Sequence, residues 1–174
     1  MKKFKFLLPM LGLLILFSFN SAISEDSKES KGIKWYPLDE AIPLAKEQNK
    51  HVFIDFSTSW CGYCKKMDKE VFTQQAIIDL LNNDYIAAKV DGDGKTELNL
   101  DGYKITEKDL TKKEYGVTGY PTFWWLNPKG DKLFKVSGYK PADYWVGALT
   151  FVKDYEYDSS LSKDGTPINN TEGK

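Results

Sequence analysis

The short apolar run Val52–Phe56 leads almost directly into Cys61-Gly62-Tyr63-Cys64, and this junction constrains the fold more than any other part of the chain. The run is rich in β-formers and bounded by polar residues, which predicts a buried central strand over 51–57. We expect a helix to begin at or just before Cys61. The two thiols are the only cysteines of the chain, and at this spacing they can close a disulfide within one helical turn and open it again.

Strands and helices alternate along the rest of the chain. Short β-branched and aromatic runs predict strands, and apolar residues at helical spacing predict helices. This alternation predicts an α/β fold in which helices cover both faces of a central mixed sheet. The expected elements are helix 38–48, strand 51–57, a helix from about 61, a helix around 76–81, strand 85–90, a helix from 106 to about 115, strands 122–126 and 132–137, and a final helix after Pro141.

Residues 91–106 form an insertion between two of these elements. The pairs Asp91-Gly92 and Asp101-Gly102 favour tight turns, so we expect loops or a small hairpin here. The acidic turn also has some likeness to a calcium loop. However, Lys95 stands where the EF-hand pattern requires an oxygen ligand, which argues against a calcium site.

The N-terminus has the pattern of a secretory signal. Lys2, Lys3 and Lys5 precede an uncharged apolar stretch, Phe6–Phe19, and Ala22-Ile23-Ser24 offers small residues for cleavage. The stretch is shorter than the roughly 20 residues that span a bilayer, so we expect an exported, periplasmic protein. An uncleaved N-terminal membrane anchor is the alternative. The expected organisation is a signal peptide at 1–24, a flexible tether at 25–34, one domain at 35–157 and a polar, disordered tail at 158–174.

The charged residues argue against nucleic acid as a partner. All 24 basic residues are lysines, so the chain has no arginine for bidentate contacts to phosphate or guanine. Three of these lysines and none of the 25 acidic residues fall within 1–24, which leaves the mature chain with a net charge of −4. In an oxidising compartment, paired cysteines usually form disulfides. A partner must therefore maintain the redox state of this pair.

Four separated motifs, together with the order of elements, resemble the thioredoxin family over about 38–152. Trp60 precedes the Cys61–Cys64 motif, and Asp55 lies six residues before the first cysteine, where this family often carries a buried acid. Lys89 ends the next strand, at the place of the lysine that often pairs with that acid. Tyr120-Pro121 precedes the last two strands, where the family carries its cis-proline. The chain is similar to periplasmic members, including the C-terminal domain of DsbD-type thiol–disulfide interchange proteins.

The resemblance implies a thioredoxin fold and a catalytic role for four residues. Cys61 is the expected nucleophile, because a helix N-terminus stabilises its thiolate, and Cys64 is expected to resolve the mixed disulfide. Asp55 is expected to accept the proton of Cys64, since burial raises the pKa of an acid. Lys89 is expected to tune Asp55. The alternatives are an aspartate satisfied by backbone amides and a solvated lysine at a strand end.

The resemblance also places a substrate groove around Pro121. A cis peptide bond before proline costs only about 0.5–1 kcal/mol, so the fold can hold Pro121 in the cis form. Tyr120 borders the groove and is larger than the residues common in the family at this position. Trp60 and Tyr63 are expected to be exposed and to contact partner proteins.

The sequence also predicts where the side chains of three other residues lie. Trp124 and Trp125 are adjacent in one strand, so their side chains should pack on opposite faces of it. His51, the only histidine, begins a strand and is expected to be a surface residue rather than a ligand.

Three functions are compatible with these features. The leading hypothesis is an exported thiol–disulfide oxidoreductase without a cofactor, more a reductase than an oxidase. It would act as a monomer on disulfide-containing or dithiol proteins, with a membrane or periplasmic electron donor or acceptor. Two thiolates also suit Cu(I), so copper binding or delivery through Cys61 and Cys64 is the alternative. A structural disulfide in an unreactive binding module is the third, and it leaves Asp55, Trp60 and Pro121 without a shared role.

Overall fold

The computed structural model describes residues 32–158 and residue 160. The expected signal peptide, most of the tether and most of the polar tail therefore lie outside the described residues. Within the described part of the chain, no helix is long and apolar enough to cross a membrane.

The described residues form alternating strands and helices, and the predicted strands are confirmed. The helix expected from 106 to about 115 is divided into a short α-helix and a π-helical turn. In chain order the elements are β1 (Trp35–Tyr36), α1 (Leu38–Gln48), β2 (His51–Ser57), α2 (Gly62–Glu70), α3 (Gln75–Asn83), β3 (Tyr85–Asp91), β4 (Glu97–Leu100), β5 (Tyr103–Thr106), α4 (Glu107–Asp109), the π-helical turn (Leu110–Glu114), β6 (Thr122–Leu126), β7 (Lys132–Ser137) and α5 (Ala142–Lys153).

The central sheet has five strands in the order β1-β3-β2-β6-β7. Strand β3 is parallel to both β1 and β2, whereas β6 pairs antiparallel with β2 and with β7. The expected mixed sheet is therefore confirmed. Strand β2 lies in the middle, and all seven of its residues are buried. A strand buried on both faces has no polar face, which explains its nearly continuous apolar run.

Side chains of the sheet alternate between two cores. Ile54 and Phe56 belong to the core that α1 closes, whereas Phe53 belongs to the core closed by α2, α3 and α5. Because successive residues of a strand face opposite sides, Asp55 lies on the same face as Phe53, which α2 covers. Trp124 and Trp125 also divide between the two cores, as predicted.

Four aromatic residues of the core on the α2 side have no exposed area, and we call them the aromatic floor: Phe53, Phe123, Trp125 and Trp145. Phe53 stacks on Phe123 at 5.6 Å between ring centroids, and it meets Trp125 and Trp145 edge-on at 5.2 and 5.7 Å. Such pairs add about 0.5–1.5 kcal/mol each beyond the burial of their area. Met67 of α2 is buried in the same core. The helix that follows the first cysteine therefore rests on closely packed rings.

The insertion is a hairpin, since β4 and β5 pair antiparallel in a sheet of their own. Leu98 and Ile105 are buried in the core on the α1 side and attach the hairpin to the domain. Its turn places Asp101 and Gly102 at φ of 52° and 91°. Glycine adopts such a conformation at little steric cost. The Asp-Gly pair predicted this turn correctly.

The prediction that His51 lies on the surface is wrong. His51 is only 2% exposed, and its Nε2 lies 2.7 Å from the Tyr157 hydroxyl. The ring centroid of Tyr155 lies 4.6 Å from that of His51. The segment after α5 folds back over the start of β2, and this burial lowers the pKa of His51 to about 4.

Candidate active site

Cys61 and Cys64 form a disulfide at the start of α2. Cys61 has an extended backbone and is the N-cap of the helix, and its sulfur accepts the N–H of Cys64 at 3.0 Å. The first N–H groups of a helix have no backbone acceptor, and together with the helix dipole they favour an anion. When the disulfide opens, the Cys61 sulfur is therefore well placed to carry a negative charge.

Both cysteines are buried, whereas the aromatic residues next to Cys61 and Cys64 in the sequence are exposed. Cys61 and Cys64 are 5% and 4% exposed, whereas the expected exposure of Trp60 and Tyr63 is confirmed at 66% and 63%. Trp60 and Tyr63 are therefore available to contact a partner protein beside the buried pair.

Tyr120 and the first turn of the insertion contact Trp60. The Tyr120–Pro121 peptide bond is cis. Trp60 meets the Tyr120 ring edge-on at 5.7 Å between centroids, and its indole N–H donates to Asp93 at 2.8 Å. A Cβ at Gly92 would come within 2.0 Å of the Tyr120 hydroxyl. Glycine at position 92 therefore leaves the space that the Tyr120 side chain occupies.

Tyr139 is an aromatic neighbour of the motif that sequence reasoning missed. Its ring lies 6.4 Å from that of Tyr63. Its hydroxyl donates to Glu70 at 2.9 Å, and the Lys66 ammonium lies 4.5 Å from its ring centroid. These contacts hold the Tyr139 ring beside Tyr63. No local sequence signal identifies this residue, because it lies in the segment between β7 and α5.

Asp55 and Lys89 are directly opposite each other in the parallel pair β2–β3. The Lys89 Nζ lies 3.3 Å from Asp55 Oδ2, and the Asp55 side chain is 3% exposed. The second oxygen, Oδ1, is buried and has no hydrogen-bond partner among the described residues. The structure thus brings the buried acid and the lysine together on the sheet face that α2 covers.

Burial makes Asp55 a weaker acid than an exposed aspartate. It raises the pKa of Asp55 to about 6, while the Lys89 charge opposes the rise and the charge of Asp68 adds to it. For Lys89, burial acts to lower the pKa, but the carboxylates of Asp55 and Asp68 outweigh it and raise the pKa above its ordinary value. Asp55 can therefore bind or release a proton near neutral pH, which is the property of a general base.

Asp68 of α2 completes this cluster and was also missed. Its Oδ1 accepts a hydrogen bond from Lys89 at 2.8 Å, which is shorter than the 3.3 Å contact from Lys89 to Asp55. Asp68 follows Cys64 by one helical turn, so both lie on one side of the helix, and this spacing was the available sequence signal. A cleft of about 550 Å³ opens beside them. Its lining includes Ser57, Thr58, Cys64, Lys65, Asp68, Lys89, Asp91 and Glu107.

The copper hypothesis gains no support from the neighbourhood of the cysteines. Among residues 32–158, no group of three or more His, Cys, Asp or Glu side chains is arranged to hold a metal ion. The cluster around Lys89 is instead an ion-pair network, with one lysine between two carboxylates.

Comparison with known families identifies the domain. Residues 38–153 match the family described as thioredoxin-like domain. This range is more than half of the chain and includes the strand before the cysteines, the cysteine motif and the cis-proline. The chain belongs to the thioredoxin-like family.

Several relatives of this thioredoxin-like chain are known. A protein disulfide-isomerase of Hordeum vulgare is 29% identical over 122 residues, which are 70% of this chain and 20% of the relative. The structure of a thioredoxin from Thermus thermophilus is 27% identical with a TM-score of 0.58, covering 70% of this chain and 87% of that one. The oxidised C-terminal domain of DsbD from Neisseria meningitidis shares the fold, with a TM-score of 0.51 at 21% identity. The superposition covers 71% of this chain and 98% of that domain.

The thioredoxin-like chain corresponds to a small part of its curated relatives. It spans 16% of an uncharacterised protein of Caenorhabditis elegans, to which it is 37% identical over 122 residues or 68% of its own length. The matched region is thus a single domain within much longer proteins.

Proposed function

We propose that this protein is an exported thiol–disulfide oxidoreductase that reduces disulfides in partner proteins. One observation carries the proposal: the Cys61–Cys64 pair lies at a helix N-terminus beside a cleft that also contains Lys89, the partner of the buried Asp55. The names of the relatives, a thioredoxin and a protein disulfide-isomerase, support the same class of reaction.

The reaction begins with both cysteines reduced. The Cys61 thiolate attacks one sulfur of the partner's disulfide, which forms a Cys61–partner disulfide and releases the other sulfur as a thiolate. Cys64 then attacks the Cys61 sulfur, closes the Cys61–Cys64 disulfide and releases the partner's second sulfur. Two electrons pass from the protein to the partner, and the protein ends in the disulfide form of the present structure.

Asp55 takes the proton that Cys64 must lose before it attacks. The thiolate is the attacking species, and a carboxyl with a pKa of about 6 accepts a proton readily near neutral pH. Cys64 and Lys89 line the same cleft, and Lys89 contacts the buried Asp55, so we expect the proton to pass from Cys64 to Asp55 on this side of the sheet. Below about pH 6, Asp55 is itself protonated and the second step slows.

The dipeptide between the two cysteines supports the reducing direction. Neither Gly62 nor Tyr63 carries a positive charge that would stabilise the Cys61 thiolate. A strongly stabilised thiolate makes the reduced form favourable and the disulfide a strong oxidant. The Cys61 thiolate has the helix N-terminus but no cation between the two cysteines to stabilise it, so the pair should give up electrons more readily than a strongly oxidising pair. A dithiol protein of the same compartment must then reduce the disulfide again after each turnover.

The compartment is inferred from the N-terminal sequence. Residues 1–24 combine lysines, an apolar stretch and small residues in the order of a secretory signal. Export places the protein where protein disulfides form, so reducible partners are present. Fractionation of cells that make the full chain tests this point, and recovery of the protein in the cytosolic fraction would contradict it.

Insulin reduction with dithiothreitol tests the activity. The wild type should precipitate the insulin B chain faster than dithiothreitol alone, and Cys61→Ser should bring the rate to background. Cys64→Ser should retain the first step and accumulate a mixed disulfide, visible on a non-reducing gel. Equal rates for the wild type and both variants would refute the proposed function.

Equilibration with glutathione buffers then tests the direction of electron flow. The fraction of Cys61–Cys64 disulfide is measured by alkylation of free thiols across a range of glutathione redox ratios. A potential well below that of the glutathione couple, as in reductases of the thioredoxin type at about −270 mV, supports a reductase. A value near −120 mV would identify an oxidase instead.

A further inference from the structure

Lys89 is shared between two carboxylates that differ sharply in their exposure to solvent. Asp55 is buried, with 3% of its side chain exposed, whereas the side chain of Asp68 is 48% exposed. The shorter contact of Lys89 is to the exposed partner, at 2.8 Å against 3.3 Å. Both oxygens contact one nitrogen, so they lie within about 6 Å of each other. Lys89 is thus held towards the mouth of the cleft rather than fully against Asp55.

We propose that Asp68 is a positioning residue, which holds the Lys89 ammonium away from full contact with Asp55 and so keeps Asp55 basic enough to take the Cys64 proton. This inference rests on the proposed function, in which Asp55 is the proton acceptor. Asp68 itself does not exchange a proton with a cysteine in this scheme. It acts only through Lys89 and through its own negative charge.

Two physical effects of Asp68 act in the same sense on Asp55. A hydrogen bond from Lys89 to Asp68 weakens the competing ion pair that would stabilise the Asp55 anion. The Asp68 charge also repels that anion directly, because like charges within about 6 Å disfavour ionisation. Removal of Asp68 would leave Asp55 as the one carboxylate paired with Lys89 among the described residues. The pKa of Asp55 would then fall, and Asp55 would be a weaker base.

The elements that surround the cleft contribute several charged side chains. Lys89 from β3 and Asp68 from α2 are the two that act on Asp55 directly. Lys65 of α2, Asp91 at the end of β3 and Glu107 of α4 also line the cleft. Glu107 is engaged with the turn of the insertion, where its carboxylate accepts the N–H of Asp91 at 3.2 Å. Asp68 is therefore the carboxylate that competes with Asp55 for Lys89.

The test follows the second step of disulfide exchange over pH. Reduced protein is mixed with excess 5,5′-dithiobis(2-nitrobenzoate). The first released chromophore reports attack by Cys61, and the second, in a phase independent of reagent concentration, reports attack by Cys64. The rate of this second phase is measured from pH 4.5 to 8.5 for the wild type, Asp68→Asn, Asp68→Glu and Lys89→Met. Asp79→Asn, which removes an exposed carboxylate of α3, serves as the matched control.

The two central variants should shift the pH profile in opposite directions. In the wild type, the rate of the second phase should fall as the pH drops through the Asp55 pKa of about 6. We call this fall the limb of the profile. Asp68→Asn should move it down by about one pH unit, at the lower end of what a charge at this distance produces, because Asp68 is half exposed. Lys89→Met should move the limb up, Asp68→Glu should restore the wild-type position, and Asp79→Asn should leave it unchanged.

Failure of this inference can be told from failure of the proposed function. If Lys89→Met moves the limb but Asp68→Asn leaves it at the wild-type pH, Asp68 only ties α2 to the sheet and the proposal is wrong. An upward shift with Asp68→Asn would also overturn it. If the wild type releases no second chromophore, Cys64 does not resolve the mixed disulfide and the proposed function itself fails.

Discussion

Replacement of Asp55 by asparagine should stabilise the fold while it weakens disulfide exchange. Burial raises the pKa of Asp55 from its ordinary value of 3.8 to about 6. Between these two values the unfolded chain has released the proton and the folded chain still holds it, so the free energy of unfolding falls as pH rises through this window. Above about pH 6 the full cost of the buried charge, about 3 kcal/mol, is present. The asparagine side chain does not ionise, so the variant avoids that cost.

The unfolding free energy of the wild type will not show this fall with pH, because His51 has the opposite effect. The pKa of His51 is lowered from 6.5 to about 4. A histidine kept neutral in the fold makes the free energy of unfolding rise with pH between about 4 and 6.5, which nearly cancels the fall due to Asp55. His51 is present in both proteins, however. The difference between Asp55→Asn and the wild type therefore isolates the contribution of Asp55.

Urea unfolding of the two oxidised proteins at pH 4, 5, 6 and 7.5 measures this difference. We expect the variant and the wild type to differ little at pH 4 and by about 3 kcal/mol in favour of the variant at pH 7.5. With a urea dependence of about 1–3 kcal/mol per molar, the midpoint should rise by about 1–3 M at the higher pH. Asp143→Asn, at an exposed position of α5, is the control and should show no such pH dependence.

A difference in unfolding free energy that stays constant from pH 4 to pH 7.5 would refute the reasoning, because it would show that Asp55 titrates alike in the folded and unfolded chains. A variant less stable than the wild type at pH 7.5 would refute it as well. The same variant should reduce insulin more slowly at pH 7, since Cys64 then lacks its proton acceptor.

Two further predictions concern Gly92 and His51. Gly92→Ala should displace the Tyr120 ring from Trp60, because the new Cβ would lie 2.0 Å from the Tyr120 hydroxyl. Insulin reduction should slow, and in the double variant this loss of activity should not add to the loss caused by Tyr120→Ala. Additive losses would contradict the contact. His51→Gln should remove the His51 contribution, a rise in unfolding free energy of about 3 kcal/mol between pH 4 and 6.5, so the variant should show the fall due to Asp55 that His51 nearly cancels in the wild type. Urea unfolding at pH 4.5 and 7.5 measures this fall, and a slope equal to that of the wild type would exclude the His51 contribution.

Features set by neighbours along the chain were predictable from the sequence. The apolar run of β2 predicted a strand buried on both faces, and the Asp-Gly pair at 101–102 predicted the turn of the hairpin. Trp124 and Trp125 divide between the two cores because successive strand residues must face opposite sides. In each case the decisive interaction lies within a few residues of the pattern.

Features that depend on distant parts of the chain were not predictable in this way. His51 begins a strand and resembles a surface residue, but it is covered by a segment that includes Tyr157, 106 positions away. Tyr139 reaches Tyr63 only because the sheet brings the end of β7 next to α2. Asp68 has the spacing of a residue beside Cys64, but its partner Lys89 lies on another element, 21 positions further along.

The aromatic floor beneath α2 limits how far this protein can change its conformation when a partner binds. Interlocked rings at the packing density of an organic crystal do not yield to small displacements, and Met67 anchors the helix against them. We therefore expect opening or closing of the Cys61–Cys64 bond to move only the two sulfurs and the first helical turn. The conformational change that brings a partner's sulfur to the buried Cys61 should then occur in the partner, so disulfides in locally unfolded segments should react faster than those in rigid domains.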